Sequence, residues 1–141
     1  MSGLSAFMAD NVQIADDIKL VVSKRFMENG KPIEWKIKPI TSDEDEAIKK
    51  ACTKKVPVPG KKNILVPEID YSKYLGKLAV ACTVYPNLHD VALQDSYKAM
   101  GSEELLKKML LPGEYAEFLR HIQEINGFDV GMEELVEEAK N

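Results

Sequence analysis

Residues 18–38 read IKLVVSKRFMENGKPIEWKIK, and their pattern decides the fold class. Ile18, Leu20, Val22 and Phe26 point one way while Lys19, Ser23 and Arg25 point the other; Ile33, Trp35 and Ile37 likewise oppose Glu34, Lys36 and Lys38. A period of two belongs to a strand with one face buried. Between the runs lies Asn29-Gly30, the dipeptide best able to take the positive φ angles of a type I′ turn. With those two as the loop, Phe26 is expected opposite Ile33, Lys24 opposite Trp35 and Val22 opposite Ile37. Pro32 then falls opposite Met27 in a non-hydrogen-bonded pair, where its missing N–H costs the ladder nothing.

Downstream the period changes. The stretch 39–55, PITSDEDEAIKKACTKK, offers Thr41 or Ser42 as N-cap, acidic residues in a first turn and lysines in a last, all placed to suit a helix dipole over about three turns. The stretch 55–70, KVPVPGKKNILVPEID, holds three prolines and a glycine, which forbid a helix and allow at most two short edge strands around Gly60-Lys61. An exposed loop or loose hairpin carrying Lys54, Lys55, Lys61 and Lys62 is expected there, and it would extend the first hairpin into a small sheet if the two pair. A basic loop is ordinarily just solvated; the alternative is a contact for an acidic partner.

From Asp70, a good N-cap, Tyr71, Tyr74, Leu75, Leu78, Cys82 and Tyr85 share one helical stripe that Pro86 ends. This is the expected central core helix. A short helix follows in LHDVALQDSYKAMG, closed by Gly101, and the next starts with Ser102 as N-cap. At LLPGEY, Pro112 sits where proline is tolerated, in the first turn of a new helix with Glu114 behind it. That helix should end at Asn126-Gly127 with Phe128 folding back as the hydrophobic contact. The corner lets Leu105, Leu106, Met109 and Leu110 face Tyr115, Phe118, Leu119 and Ile122. The fold class is therefore α+β: an N-terminal antiparallel hairpin packed against five to six helices.

The chain of 141 residues is the size of one domain, with residues 1–17 as a mobile arm or short docking helix, 18–128 as the core and 129–141 as a short acidic amphipathic helix. The start has no basic n-region and no long apolar stretch, which predicts a cytoplasmic protein that meets no membrane. The formal net charge of −4 disfavours a phosphate backbone, so nucleic acid is not an expected partner. Cys52 and Cys82 lack metal-site spacing and read as reduced, partly buried thiols.

No constellation for catalysis stands out. His121 lies four residues after Glu117 on a helix flank, where a surface charge pair accounts for it. His89 precedes Asp90 at the start of a helix, where capping accounts for it. Carboxylates cluster in helix first turns or on exposed faces, and the phosphate-loop, dinucleotide, zincin and nucleophile-elbow motifs are absent from the sequence. No enzyme and no cofactor are expected.

The order of the pieces carries more. The hairpin VVSKRFMENGKPIEWKIKPIT, the helix start SDEDEAIKK, then KYLGKLAVACTVYPNLHDVALQDSY and SEELLKKMLLPGEYAEFLRHIQEINGF resemble, in that order, the XkdN-like tail assembly chaperones of long-tailed phages and defective prophages of Gram-positive bacteria. The similarity covers roughly residues 18–128. It implies a non-enzymatic protein that binds the helical tape measure protein, keeps it soluble and is displaced as tail-tube subunits polymerise. Self-association, and a longer form made by frameshifting at Ala139-Lys140-Asn141, are further expectations. Met109, Leu110, Tyr115 and Phe118 of the helical corner, with Met132, Leu135 and Val136 of the acidic terminus, are the candidate partner-binding residues, since the corner either buries its apolar face or leaves a groove. The alternatives are a tail or baseplate adaptor retained in the virion, or a small enzyme or toxin in which a histidine converges with carboxylates.

Overall fold

In the computed structural model, which describes residues 3–13 and 17–128, the described residues form seven short strands and five α-helices. The strands are β1 (Ile18–Leu20), β2 (Met27–Glu28), β3 (Lys31–Pro32), β4 (Trp35–Ile37), β5 (Thr53–Pro57), β6 (Leu65–Ile69) and β7 (Thr83–Tyr85). The helices are α1 (Ser42–Ala51), α2 (Tyr71–Cys82), α3 (Val91–Ser96), α4 (Ser102–Met109) and α5 (Pro112–Ile125). The α+β class is as the sequence predicts, and the first residues carry one 3₁₀ turn, Ser5–Phe7.

The first hairpin keeps its turn and loses its register. Near Asn29-Gly30 the pairs are as expected, Met27 with Pro32 and Glu28 with Lys31, and the Ile33 amide donates to the Phe26 carbonyl at 2.8 Å. Further out, Ile18 pairs with Ile37 and Leu20 with Trp35, in place of the expected Val22 with Ile37 and Lys24 with Trp35. The first strand has slipped by an even number of residues, and an even slip leaves every side chain on its original face. Alternation alone therefore cannot tell the two registers apart. Residues 21–25 leave the sheet and do other work: Ser23 is buried, and its hydroxyl accepts from the Arg25 amide at 3.2 Å.

The sheet is completed from an unexpected place. Its strand order is β1-β4-β7, and β7 is the segment read from sequence as the last turn of the core helix. Helix α2 stops at Cys82, the Cys82 carbonyl accepts from the Lys38 amide at 2.9 Å, and Thr83-Val84-Tyr85 runs antiparallel to β4. Two β-branched residues and a tyrosine before Pro86 favour extended backbone over helix. The 54–69 region does form a hairpin, but among the described residues β5 and β6 pair only with each other and do not extend that sheet.

Helix starts follow capping chemistry. Thr41 caps α1 in a reciprocal box with Glu44, Asp70 accepts from the Lys73 amide, and Asp90 accepts from the Leu93 amide at 2.8 Å. Gly101, at φ +105°, takes the N-cap of α4 in place of Ser102, whose hydroxyl instead donates to the Leu88 carbonyl at 3.0 Å. Gly101 thus opens α4, while the preceding α3 closes earlier, at Ser96. Helix α2 is the hub, packing on α1, α4 and α5. Trp35, Ile37, Leu78, Cys82, Leu105, Leu106, Phe118 and Ile122 share one core, with the Trp35 and Phe118 rings edge-to-face at 5.3 Å.

Candidate functional site

The corner between α4 and α5 is the first place to look, since four of the predicted binding residues lie there. Proline at N1 of α5 and the Glu114 carboxylate accepting from the Leu111 amide at 2.8 Å fix the turn. Arg25, from the segment that left the sheet, latches it: its guanidinium donates to the Met109 carbonyl at 2.7 Å and to Glu114 at 2.8 Å. With the Arg25 guanidinium and the Ser23 hydroxyl both donating to it, the Glu114 carboxyl is held at about 2. The latch is a structural clasp.

Met109, Leu110 and Phe118 are 5%, 6% and 1% exposed, so they form core and present no surface in this conformation. Tyr115 is half-buried, its hydroxyl 3.4 Å from where a Cβ on Gly76 would stand, which shows how closely α5 approaches α2. Met132, Leu135 and Val136 lie outside the described residues. The helical pair thus buries its apolar face rather than opening a groove.

The open apolar surface is elsewhere. Phe128 follows Gly127, at φ +87°, in a Schellman ending, with its amide donating to the Gln123 carbonyl at 2.9 Å and the Gly127 amide to Glu124 at 3.0 Å. This folds Phe128 back, as expected, against Tyr71, Tyr74, Leu75 and Leu78 of α2, beside Lys49 of α1. Tyr71, read from sequence as a core residue, is 51% exposed and forms one wall of this groove. The space measures about 70 Å³, a fraction of what small-molecule sites occupy, so it suits one or two side chains. Tyr74 anchors the floor by a hydrogen bond to Asp45, and burial together with that carboxylate raises its phenol above the usual range. The groove's signal was present in the sequence as Gly127-Phe128; that its far wall is Tyr71 was not.

Two further apolar sets face solvent. One is on the N-terminal residues, where Leu4, Phe7, Met8 and Val12 are all exposed. The other is on the β5–β6 ribbon, where Ile64, Leu65 and Val66 are exposed.

The two histidines stand apart. His121 pairs with Glu117 at 3.4 Å and Glu124 at 3.7 Å on the α5 surface, as its spacing predicts. His89 is exposed, with Nδ1 2.9 Å from the Ser102 hydroxyl. Among the described residues no three His, Cys, Asp or Glu side chains gather as a metal site, and Cys52 and Cys82 are buried free thiols. No helix of the described residues is long and apolar enough to cross a membrane.

Comparison with known proteins identifies the class. The family of phage XkdN-like tail assembly chaperone proteins matches residues 4–140, and the chain belongs to that family. Its relatives include the phage-like element PBSX protein XkdN of Bacillus subtilis (strain 168), 36% identical over 140 residues spanning 98% of this chain and 93% of that protein. The protein YqbN of the same strain is equally similar, 36% over 140 residues with the same coverage. A crystal structure of YqbN shares the fold at a TM-score of 0.76 and 30% identity, covering 92% of this chain and 99% of that chain. Members of this family are generally non-enzymatic.

Proposed function

We propose that this chain binds the tape measure protein of its phage or prophage in the bacterial cytoplasm, keeps its apolar helical segments soluble and is displaced as tail-tube subunits polymerise. The observation that carries the reading is membership of the tail assembly chaperone family over residues 4–140. The physics agrees with it. A holding protein needs exposed apolar surface with a polar rim and only modest affinity, so that assembly can strip it away. The Phe128 groove, the exposed N-terminal residues and the β5–β6 ribbon offer several small patches of that kind in place of one large one. Residues 1–141 act in this reading as one chaperone domain.

Displacement separates a chaperone from an adaptor that stays in the particle. Quantitative mass spectrometry of purified tails should find the tape measure protein and the tube protein but this chain at less than about one copy per tail. Stoichiometric retention in finished tails would exclude the displaced chaperone and favour the adaptor.

A further inference from the structure

Beyond its base, where Ile69 packs against the core, the β5–β6 ribbon meets solvent on both faces, and its ladder can be phased. The Asp70 amide donates to Cys52 at 2.9 Å and the Val58 amide to Ile64 at 3.0 Å. The pairs Lys54–Glu68 and Val56–Val66 are therefore hydrogen-bonded ones, while Lys55–Pro67 and Pro57–Leu65 are not. Pro57 and Pro67 thus occupy positions whose N–H would point outward, one at each free edge. Prolines there blunt both edges against a further strand. What remains available is a face.

One face carries Val56, Val58, Ile64 and Val66 side by side, Val56 and Val58 half-buried, Ile64 47% and Val66 41% exposed. Lys54 closes this face at the base, across the ladder from Glu68, and Lys61 and Lys62 stand at the tip, just past a turn closed by the Lys61 amide donating to Val58 at 3.1 Å. None of these three, nor Lys55 on the opposite face, has an ion-pair partner among the described residues. The ribbon has four lysines against a single carboxylate, Glu68, in a chain whose net charge is −4. A two-stranded ribbon anchored only at its base is marginal in water by itself. Here it concentrates unpaired cations around a flat row of β-branched side chains.

The geometry points to this face as the docking surface for an acidic, amphipathic segment of the client, with its apolar side chains on Val56, Val58, Ile64 and Val66 and its carboxylates on Lys54, Lys61 and Lys62. The inference rests on the client-binding reading above and gives it a surface. The patch is a handful of residues, against the roughly 20–30 a side of a stable interface. That suits a client that must be surrendered and argues against a stable dimer through the same face.

The test compares affinities of the purified chain for the tape measure protein encoded beside it. Ile64→Thr/Val66→Thr keeps β-branching and removes apolar surface; Lys61→Glu/Lys62→Glu reverses the tip charge. Lys24→Glu/Lys31→Glu makes the same charge change away from the ribbon and serves as the control. Each ribbon variant should weaken binding about tenfold or more, the control should stay within about twofold, and thermal unfolding should match the unaltered chain in all three. Raising salt should weaken binding by the unaltered chain and have less effect on the Lys61→Glu/Lys62→Glu variant. Ribbon variants that bind like the unaltered chain would overturn the inference and leave the chaperone reading standing. An unaltered chain that does not bind the client at all would overturn both. Two other results would also overturn it, each assigning the face to a different occupant. One is loss of a concentration-dependent oligomer in the ribbon variants, seen by light scattering, with client binding unchanged. The other is a gain in client affinity on removing residues 129–141 that the ribbon variants abolish.

Discussion

Phe118 shows what one side chain does here. It is 1% exposed, edge-on to Trp35 at 5.3 Å, and joins the sheet to α5. Phe118→Ala should cost about 3–5 kcal/mol of stability by leaving a cavity in the core, measured by urea unfolding. A variant that kept its stability and lost only client binding would return Phe118 to the binding surface. Glu114 makes a different prediction, since its carboxyl is held at about 2, below its ordinary 4.5, first by Arg25 and then by Ser23. The folded state binds its proton less readily than the unfolded chain, so the contribution of the clasp is whole above about pH 4.5 and is lost as pH falls toward 2. The difference in melting temperature between the unaltered chain and Glu114→Gln should therefore be largest near neutral pH and shrink across that window. A difference that is constant from pH 7 to pH 2 would show that the clasp contributes nothing through ionisation. Glu114 as a first-turn carboxylate is legible from its position behind Pro112. Arg25 as its partner is not, because nothing local links residues 89 apart in sequence.

Elements are joined by contacts of the same long range. Asn126, expected only as a helix ending, accepts from the Ile40 amide at 3.0 Å and donates to the Ile122 carbonyl at 2.8 Å and to Cys82 Sγ at 3.4 Å. It ties the entry of α1 to the ends of α2 and α5. Asn126→Ala leaves the half-buried Ile40 amide without a partner and should cost about 1–3 kcal/mol, with amide exchange at Ile40 accelerated; unchanged exchange would show that water replaces the side chain. The elements themselves were mostly legible: the Asn29-Gly30 turn, the capped starts of α1, α2 and α3, and the Pro112 corner all follow from local chemistry. The misses have physical reasons. The slip of β1 keeps side-chain parity, so periodicity is blind to it. The change from helix to strand at Thr83 comes from pairing with β4, a partner more than forty residues away that overrides the helical stripe.

At the scale of the whole molecule, a close core built on α2 carries its exposed apolar surface at the margins: the Phe128 groove, the N-terminal residues and the basic ribbon. The family was legible in motif order. The burial of Met109, Leu110 and Phe118 was not, because these residues follow the same amphipathic pattern whether a helix faces its own core or another protein. Burial separates the two, and burial is a property of the assembled chain. The claim that this assembled chain holds a tape measure protein is tested most directly by co-expressing the two from the same gene cluster and resolving the soluble fraction by size exclusion with light scattering. The account predicts that the tape measure protein is soluble only in the presence of this chain and co-elutes with it. Equal solubility of the tape measure protein alone, with no shared peak, would contradict it.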